Sequence, residues 1–222
     1  MKLEKVFFIR PTLKVAKELL GKLIIRKFKN KLLIGKIVET EAYIGPKDKA
    51  SHAYSKRPQT EKEKIKLIKE NWNRIKKYIE NKELFIKRIL KNKNAKVTKR
   101  NLAEYLKGGH IYIYLIYGNY YQLNITTYKE GYPECVLIRS LEPILNLKDP
   151  KGPGKLCKEL HLDNKFWGVD ICKSKKIWLE NGENIPENLI VKTKRIGIDY
   201  AEEYKDKLWR FYIKDNKWVS KK

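Results

Sequence analysis

The sequence predicts an α+β fold: a single domain with a mostly antiparallel, curved β-sheet, surrounding helices and a protruding β-hairpin. Two observations carry this expectation. Residues His110 to Leu141 are dense in Tyr, Ile and Val and divide into three strand-length runs. The helix signals, by contrast, fall in stretches set apart from those runs.

In chain order, Pro11-Thr12 followed by Leu13, Ala16, Leu19, Leu20 and Gly21 predicts a short helix, capped at its start and stopped by glycine. Leu23 to Arg26 and Leu32 to Ile44 read as strands joined at Lys29-Asn30-Lys31. His110 to Tyr117, Tyr120 to Ile125 and Glu134 to Leu141 form the strongest β block. Gly118-Asn119 between the first two suits a two-residue, glycine-first hairpin turn that leaves Tyr117 at a protruding tip. Gly152-Pro153-Gly154 opens a helix through Leu160, and short strands are expected near Ile177, Ile196 and Phe211.

One stretch differs in character. From Glu61 to about Lys93, Ile65, Ile68, Trp72, Ile75 and Ile79 recur at helical spacing while lysine fills the other face, and a second helix can start at Leu84. We treat 61–97 as a lysine-rich helical insertion. Its stripe fits packing against the main domain, and its lysines fit either a solvated face or DNA contact.

A chain of 222 residues can bury one sizeable core without disulfide staples. Cys135, Cys157 and Cys172 are odd in number and show no C-x-x-C spacing, which favours reduced thiols over a zinc site. No apolar run approaches the ~20 residues that span a bilayer. The expectation is a soluble intracellular protein of the cytoplasm or nucleoid (the nucleus in a eukaryote), with no metal or cofactor. The net charge of +25 points to a polyanionic partner, although a lysine-rich bias on solvated faces produces the same number. Fourteen tyrosines and five tryptophans favour nucleic acid, because flat rings stack on exposed bases.

The densest chemistry lies in Val38-Glu39-Thr40-Glu41-Ala42-Tyr43-Ile44-Gly45-Pro46, followed by Ala50-Ser51-His52-Ala53-Tyr54. In a strand Glu39, Glu41 and Tyr43 share one face, so carboxylate and ring point the same way. Such a face could hold a base and its water. An ordinary strand edge has the same spacing, and a lone His52 is commonly a loop residue.

This segment resembles the hallmark of the alkyladenine (3-methyladenine) DNA glycosylase family, a Glu-Thr-Glu-Ala-Tyr strand followed by Ser-His. Further segments resemble the family in its own order. They are Phe8-Ile9-Arg10-Pro11-Thr12, Leu19-Leu20-Gly21-Lys22, Thr98-Lys99-Arg100-Asn101, Ile111 to Gly118, Leu123-Asn124-Ile125, Cys135 to Pro143, Gly152 to Cys157, Arg195-Ile196-Gly197-Ile198 and Trp209-Arg210-Phe211-Tyr212. Only the lysine-rich stretch lies outside, and Leu208 stands where the family often has proline.

The resemblance implies a monofunctional glycosylase of base excision repair. Its substrate would be double-stranded DNA containing damaged purines of the 3-methyladenine, 7-methylguanine and hypoxanthine class, and the expected state is a monomer. Glu41 would be the general base for a water held with the help of Arg139 and the Ile196 carbonyl. Tyr43 and His52 would be the walls around an extruded base, with Tyr114 a further aromatic side. Asn124 would be a gate against the guanine amine, and the backbone at Ala50 and His52 would read the base edge. Tyr117 would fill the gap in the duplex, and Arg100, Gly154 and Lys155 would meet the DNA backbone. Only one catalytic carboxylate is evident, and neutral lesions such as hypoxanthine also need leaving-group protonation, for which the matched motifs offer no obvious acid. Competing expectations are a non-catalytic damaged-DNA binder and an RNA-binding protein.

Overall fold

Two short helices, Lys5–Phe8 (α1) and Thr12–Glu18 (α2), precede the first hairpin, Leu23–Phe28 (β1) and Lys31–Ile44 (β2), in a computed structural model that describes residues 1–221. Thr12 opens α2 but does not cap it. Pro11 occupies the capping position, while the Thr12 hydroxyl is drawn into a buried contact with Thr127 and Glu134. Gly21 ends the segment at φ +81°, where a Cβ would lie 2.2 Å from the Glu183 carbonyl oxygen, so glycine is required on both counts.

The long strand β2 organises the sheet. It pairs along most of its length with Glu134–Leu145 (β5), while its other edge is shared by β1 near the start and Arg210–Ile213 (β8) around Glu39 to Glu41. Ile111–Ile116 (β3) and Tyr120–Thr126 (β4) extend the order to β3-β4-β5-β2-β1, with Ile177–Glu180 (β6) beyond β1 and Ile190–Thr193 (β7) beyond β8. All pairings are antiparallel. Register irregularities at Ile34/Gly35 and around Glu39 bend β2, as bulges do. One face of the sheet carries α2, whose Ala16 carbonyl accepts from Thr40 at 2.8 Å; Glu39, Glu41 and Tyr43 alternate onto the other.

Three further expectations need correction. The hairpin loop has three residues, because Ile116 pairs with Tyr120. Tyr117 and Gly118 both have positive φ, at 51° and 71°, and Asn119 N–H donates to the Ile116 carbonyl at 3.2 Å. These are the central residues of a tight turn of the primed kind, so Tyr117 belongs to the turn itself rather than to the strand. Ile196 lies in no strand: β7 ends at Thr193, and the following bend carries Ile196 toward β2. The lysine-rich stretch also forms more than two helices. Glu61–Glu70 (α3), Trp72–Ile75 (α4) and Lys82–Lys91 (α5) are separate, the first break falling at Asn71, whose side chain donates back to the Leu67 carbonyl.

Within this stretch α3 begins with a capping box between Thr60 and Glu63. Ile68, Ile75, Phe85 and Ile89 join the main hydrophobic core, so the apolar stripe is a packing stripe. Lys64 is also buried, donating to the Asn92 and Lys93 carbonyls beyond the C-terminus of α5, where a cation is favoured. Lys62, Lys66, Lys69, Lys76, Lys77 and Lys87 remain exposed. Pro153–Glu159 (α6) packs against β4, and Gly154 allows it: a Cβ there would lie 2.7 Å from the Tyr120 ring. Among the described residues, no helix is long and apolar enough to cross a membrane.

Candidate active site

The side chains that alternate onto one face of β2, β3, β4 and β5 line a cavity of about 250 Å³. Tyr43, Tyr112, Tyr114, Asn124, Leu137 and Arg139 are among them. Two loops complete the wall, one carrying Ala50 and His52 and the other Ile196 to Ile198. Tyr117 and Tyr200 stand at the mouth, and both are exposed.

Glu41 is fully buried beside this cavity and held by three donors. Ile196 N–H reaches Oε1 at 2.8 Å, the Tyr43 hydroxyl donates to Oε2 at 2.9 Å, and Arg139 Nη1 lies 3.3 Å from Oε1. An ionised carboxylate has about four acceptor sites, so one is left for a water. Ile196 thus meets Glu41 through its amide N–H, a contact additional to the expected role of its carbonyl. Glu39, on the same face, has three donors of its own, two of them from the far end of the chain: Arg139 and Arg210 approach Oε1 at 3.2 and 2.7 Å, and Ser220 N–H donates to Oε2 at 2.7 Å. Burial depresses the Arg139 guanidinium, but the Glu41 and Glu39 carboxylates outweigh this and hold its pKa above the ordinary value. It stays charged.

The loop bearing Ile196 is fixed by a buried ion pair. Arg195 makes a two-pronged contact with Asp48, at 2.6 and 2.8 Å, and donates to the Ala42 carbonyl at 3.0 Å. Its guanidinium lies over the Tyr43 ring, 4.7 Å from the centroid. Asp48 in turn accepts from the amides of Ile44 and Ala50, so a single carboxylate ties the Ala50–His52 loop to the Ile196 loop.

His52 Nδ1 lies 2.6 Å from the Tyr112 hydroxyl, and its ring meets Tyr114 edge-on at 4.7 Å. Burial, followed by the charges of Arg100 and Lys96, lowers its pKa to about 4, leaving the imidazole neutral at neutral pH. The turn Thr98 to Asn101 supports it from behind, Asn101 donating to the His52 carbonyl at 3.0 Å. Asn124 Nδ2 donates to the Tyr112 and Gln122 carbonyls at 3.1 and 3.3 Å, which fixes the amide in the wall.

All six expected pocket residues, Tyr43, Ala50, His52, Tyr114, Asn124 and Ile196, therefore line one cavity, together with Arg139. The three residues expected at the DNA backbone are placed differently from one another. Arg100 lines the cavity, donates to the Leu115 carbonyl at 3.0 Å and covers Tyr114; Gly154 accommodates Tyr120; Lys155 pairs with Asp149 at 2.6 Å on the exposed side of α6.

A model of the Methylpurine-DNA glycosylase (MPG) family matches residues 6–69 and 91–217. The chain belongs to this family. The methylpurine-DNA glycosylase match breaks over 70–90, which holds α4 and most of α5. A protein of Clostridium novyi named "Putative 3-methyladenine DNA glycosylase" is 40% identical over 100% of this chain and 99% of its own length. Proteins of the same name from Natranaerobius thermophilus and Borreliella burgdorferi are each 38% identical over 99% of the chain, covering 99% and 100% of their own lengths.

Several residues of this methylpurine-DNA glycosylase site had no assigned role from sequence. Arg195 lies inside a matched motif, but nothing in its spacing indicates Asp48, 147 positions away, as its partner. Tyr200 follows the same motif without a pattern of its own. Glu104 lies three positions after Asn101 in a surface-like context, Leu-Ala-Glu-Tyr, yet it is buried in the cavity wall.

Proposed function

We propose that this protein is a monofunctional DNA glycosylase that turns a damaged purine out of duplex DNA into the cavity beside Glu41 and hydrolyses its N-glycosidic bond. The observation that carries this proposal is the Glu41 carboxylate, buried beside an aromatic-walled cavity and held by Ile196, Tyr43 and Arg139 with one acceptor site left over.

Turning a base out of the stack costs a few kcal/mol, and less where the pair is already damaged. Tyr117, exposed on its hairpin turn, offsets part of that cost by stacking in the gap. Inside the cavity, aromatic walls stabilise a base by about 1–3 kcal/mol each, and a cationic alkylated purine gains a further attraction to the ring faces. A neutral His52 does not repel such a cation. Glu41 then accepts a proton from the water as it attacks C1′, and its charge favours the oxocarbenium-like transition state. The purine leaves with the bonding pair and the sugar keeps a hydroxyl, so an intact abasic site remains. The protein acts as a monomer, and the exposed lysines of the 61–97 stretch lie along the DNA backbone.

The test is a panel of duplexes carrying 3-methyladenine, 7-methylguanine, hypoxanthine or 1,N6-ethenoadenine, incubated with chelator. Free base should appear, and the strand should break only after alkali. Binding without base release would favour a damage-recognition protein; strand cleavage without alkali would indicate a lyase.

Two substitutions refine the proposal. Tyr117→Ala should weaken single-turnover cleavage of duplex by roughly ten- to a hundredfold, as expected for a lost stacking contact of about 1–3 kcal/mol, and should affect single strands far less. Neutralising two or three exposed lysines among Lys62, Lys66, Lys69, Lys76 and Lys77 provides the contrast: a loss alike for all DNA, with the salt slope lowered by about one per lost phosphate contact. If Tyr117→Ala behaves like the lysine changes, it is not the wedge. Asn124→Ser should admit bases with an amine at the purine 2-position, at a stability loss of about 1 kcal/mol per lost backbone hydrogen bond. An unchanged guanine-to-adenine lesion ratio would place the gate elsewhere.

A further inference from the structure

Resting on the glycosylase proposal, we infer that Glu104 is the acid that protonates a departing neutral purine, through a carboxyl group set in the cavity wall away from Glu41. Glu104 lines the cavity, is 1% exposed, and its Oε2 is a buried oxygen without a hydrogen-bond partner among the described residues. Its other oxygen accepts from the Cys135 thiol at 3.5 Å. A buried carboxyl oxygen left unpartnered among the described residues, on a side chain facing a ligand-sized cavity, suits a group that meets its partner in the ligand.

The position suits the task. Glu41 pairs with Leu137 across β2 and β5, and Cys135 lies two residues farther along β5 on the same face, about 6.6 Å away. Glu104 touches Cys135. A flat bicyclic base can therefore lie with its sugar end toward Glu41 and its N7 edge toward Glu104.

The protonation state suits it too. Around the carboxyl stand Cys135 on β5, Asp48 in the Ala50 loop, Arg100 in the preceding turn, its neighbour Tyr105, and Tyr112 and Tyr114 on β3. Burial is the largest influence and Asp48 adds to it. The Cys135 hydrogen bond and Arg100 oppose them without prevailing, and the pKa is pushed up to about 8. At neutral pH the group is therefore a carboxylic acid with an O–H to donate.

Hypoxanthine leaves poorly as an anion. As the C1′–N9 bond breaks and its electron pair moves onto the purine, the Glu104 proton passes to N7, so the base leaves as neutral hypoxanthine. Water forms the new C1′–O bond and gives its proton to Glu41. Product release lets solvent return a proton to Glu104 and take one from Glu41. A 7-methylguanine cation already leaves as a neutral base and needs no such donor.

The test compares hypoxanthine and 7-methylguanine duplexes in single-turnover release, with the unsubstituted protein and with Glu104→Gln, which keeps the size of the side chain but not the acid. Glu104→Gln should lower hypoxanthine release by about 10²–10⁴-fold more than 7-methylguanine release. Hypoxanthine release by the unsubstituted protein should fall as pH rises through about 8, and this limb should disappear in the variant. Stability supplies a second readout. A carboxyl whose pKa is raised on folding stabilises the fold at low pH and loses that contribution as pH climbs from about 4.5 to about 8. The variant should therefore gain thermal stability relative to the unsubstituted protein across that window. Equal losses for the two lesions, or an unaltered pH limb, would overturn the inference. So would release of 7-methylguanine without any release of hypoxanthine by the unsubstituted protein, whereas release of neither base would remove the glycosylase proposal itself.

Discussion

Glu41→Gln is expected to retain binding to lesion-bearing duplex while single-turnover base release falls by about 10²–10⁴-fold, the range that a positioned general base supplies. Glutamine matches glutamate in size, and its side-chain oxygen can still accept from Ile196 N–H, so the loop keeps its place. Arg139 also keeps a carboxylate partner, because Glu39 remains 3.2 Å from Nε. What disappears is the proton acceptor and the negative charge beside the developing oxocarbenium ion. Binding measured by anisotropy and release measured with enzyme in excess separate the two effects. Near-normal release would remove Glu41 from its role, and a loss of binding equal to the loss of rate would make it a recognition residue.

Arg195→Met is expected to destabilise the protein by about 3–5 kcal/mol, because it leaves Asp48 buried with no cation. Both side chains of this pair are fully inaccessible to solvent, and the contact is two-pronged. Removing the guanidinium also frees the Ala42 carbonyl and the bend that aims Ile196 at Glu41. Base release should therefore fall even at temperatures where the variant remains folded. Arg195→Lys should recover only part of either loss, since an ammonium cannot reproduce the paired geometry. Urea unfolding gives the first quantity and single-turnover release the second. A stability change below about 1 kcal/mol would place the pair among weak surface contacts, against its burial.

Much of this arrangement was readable along the chain because its period is short. The alternation at Glu39, Glu41 and Tyr43 placed all three on one face, and the β-rich runs of 110–141 located β3, β4 and β5 to within a few residues. Glycine at 118 marked the hairpin turn, but the inclusion of Tyr117 in it depends on a register that ends at Ile116 and Tyr120. Alternation could not distinguish Glu39 from Glu41. They differ in their partners: Arg210 and Ser220, from the far end of the chain, hold the first, whereas Tyr43 and Ile196, which line the cavity, hold the second. The same limit hid Asp48 and Arg195. Glu104 was hidden for another reason: local sequence predicts exposure for a glutamate, and only its burial in the cavity wall, from residues distant along the chain, makes it an acid at neutral pH. The lysine-rich stretch carried a clear helical period, yet Asn71 interrupts it by bonding back to Leu67, a choice that periodicity does not register.

The most direct test of the account is a crystal structure of the Glu41→Gln protein bound to a duplex that carries one hypoxanthine. The account predicts the lesion rotated out of the helix into the cavity between Tyr43 and His52, a water on the side chain at position 41 facing C1′, and the Tyr117 ring in the vacated stack. A lesion still paired within the helix, or turned out into a different part of the surface with the Glu41 cavity empty, would contradict it.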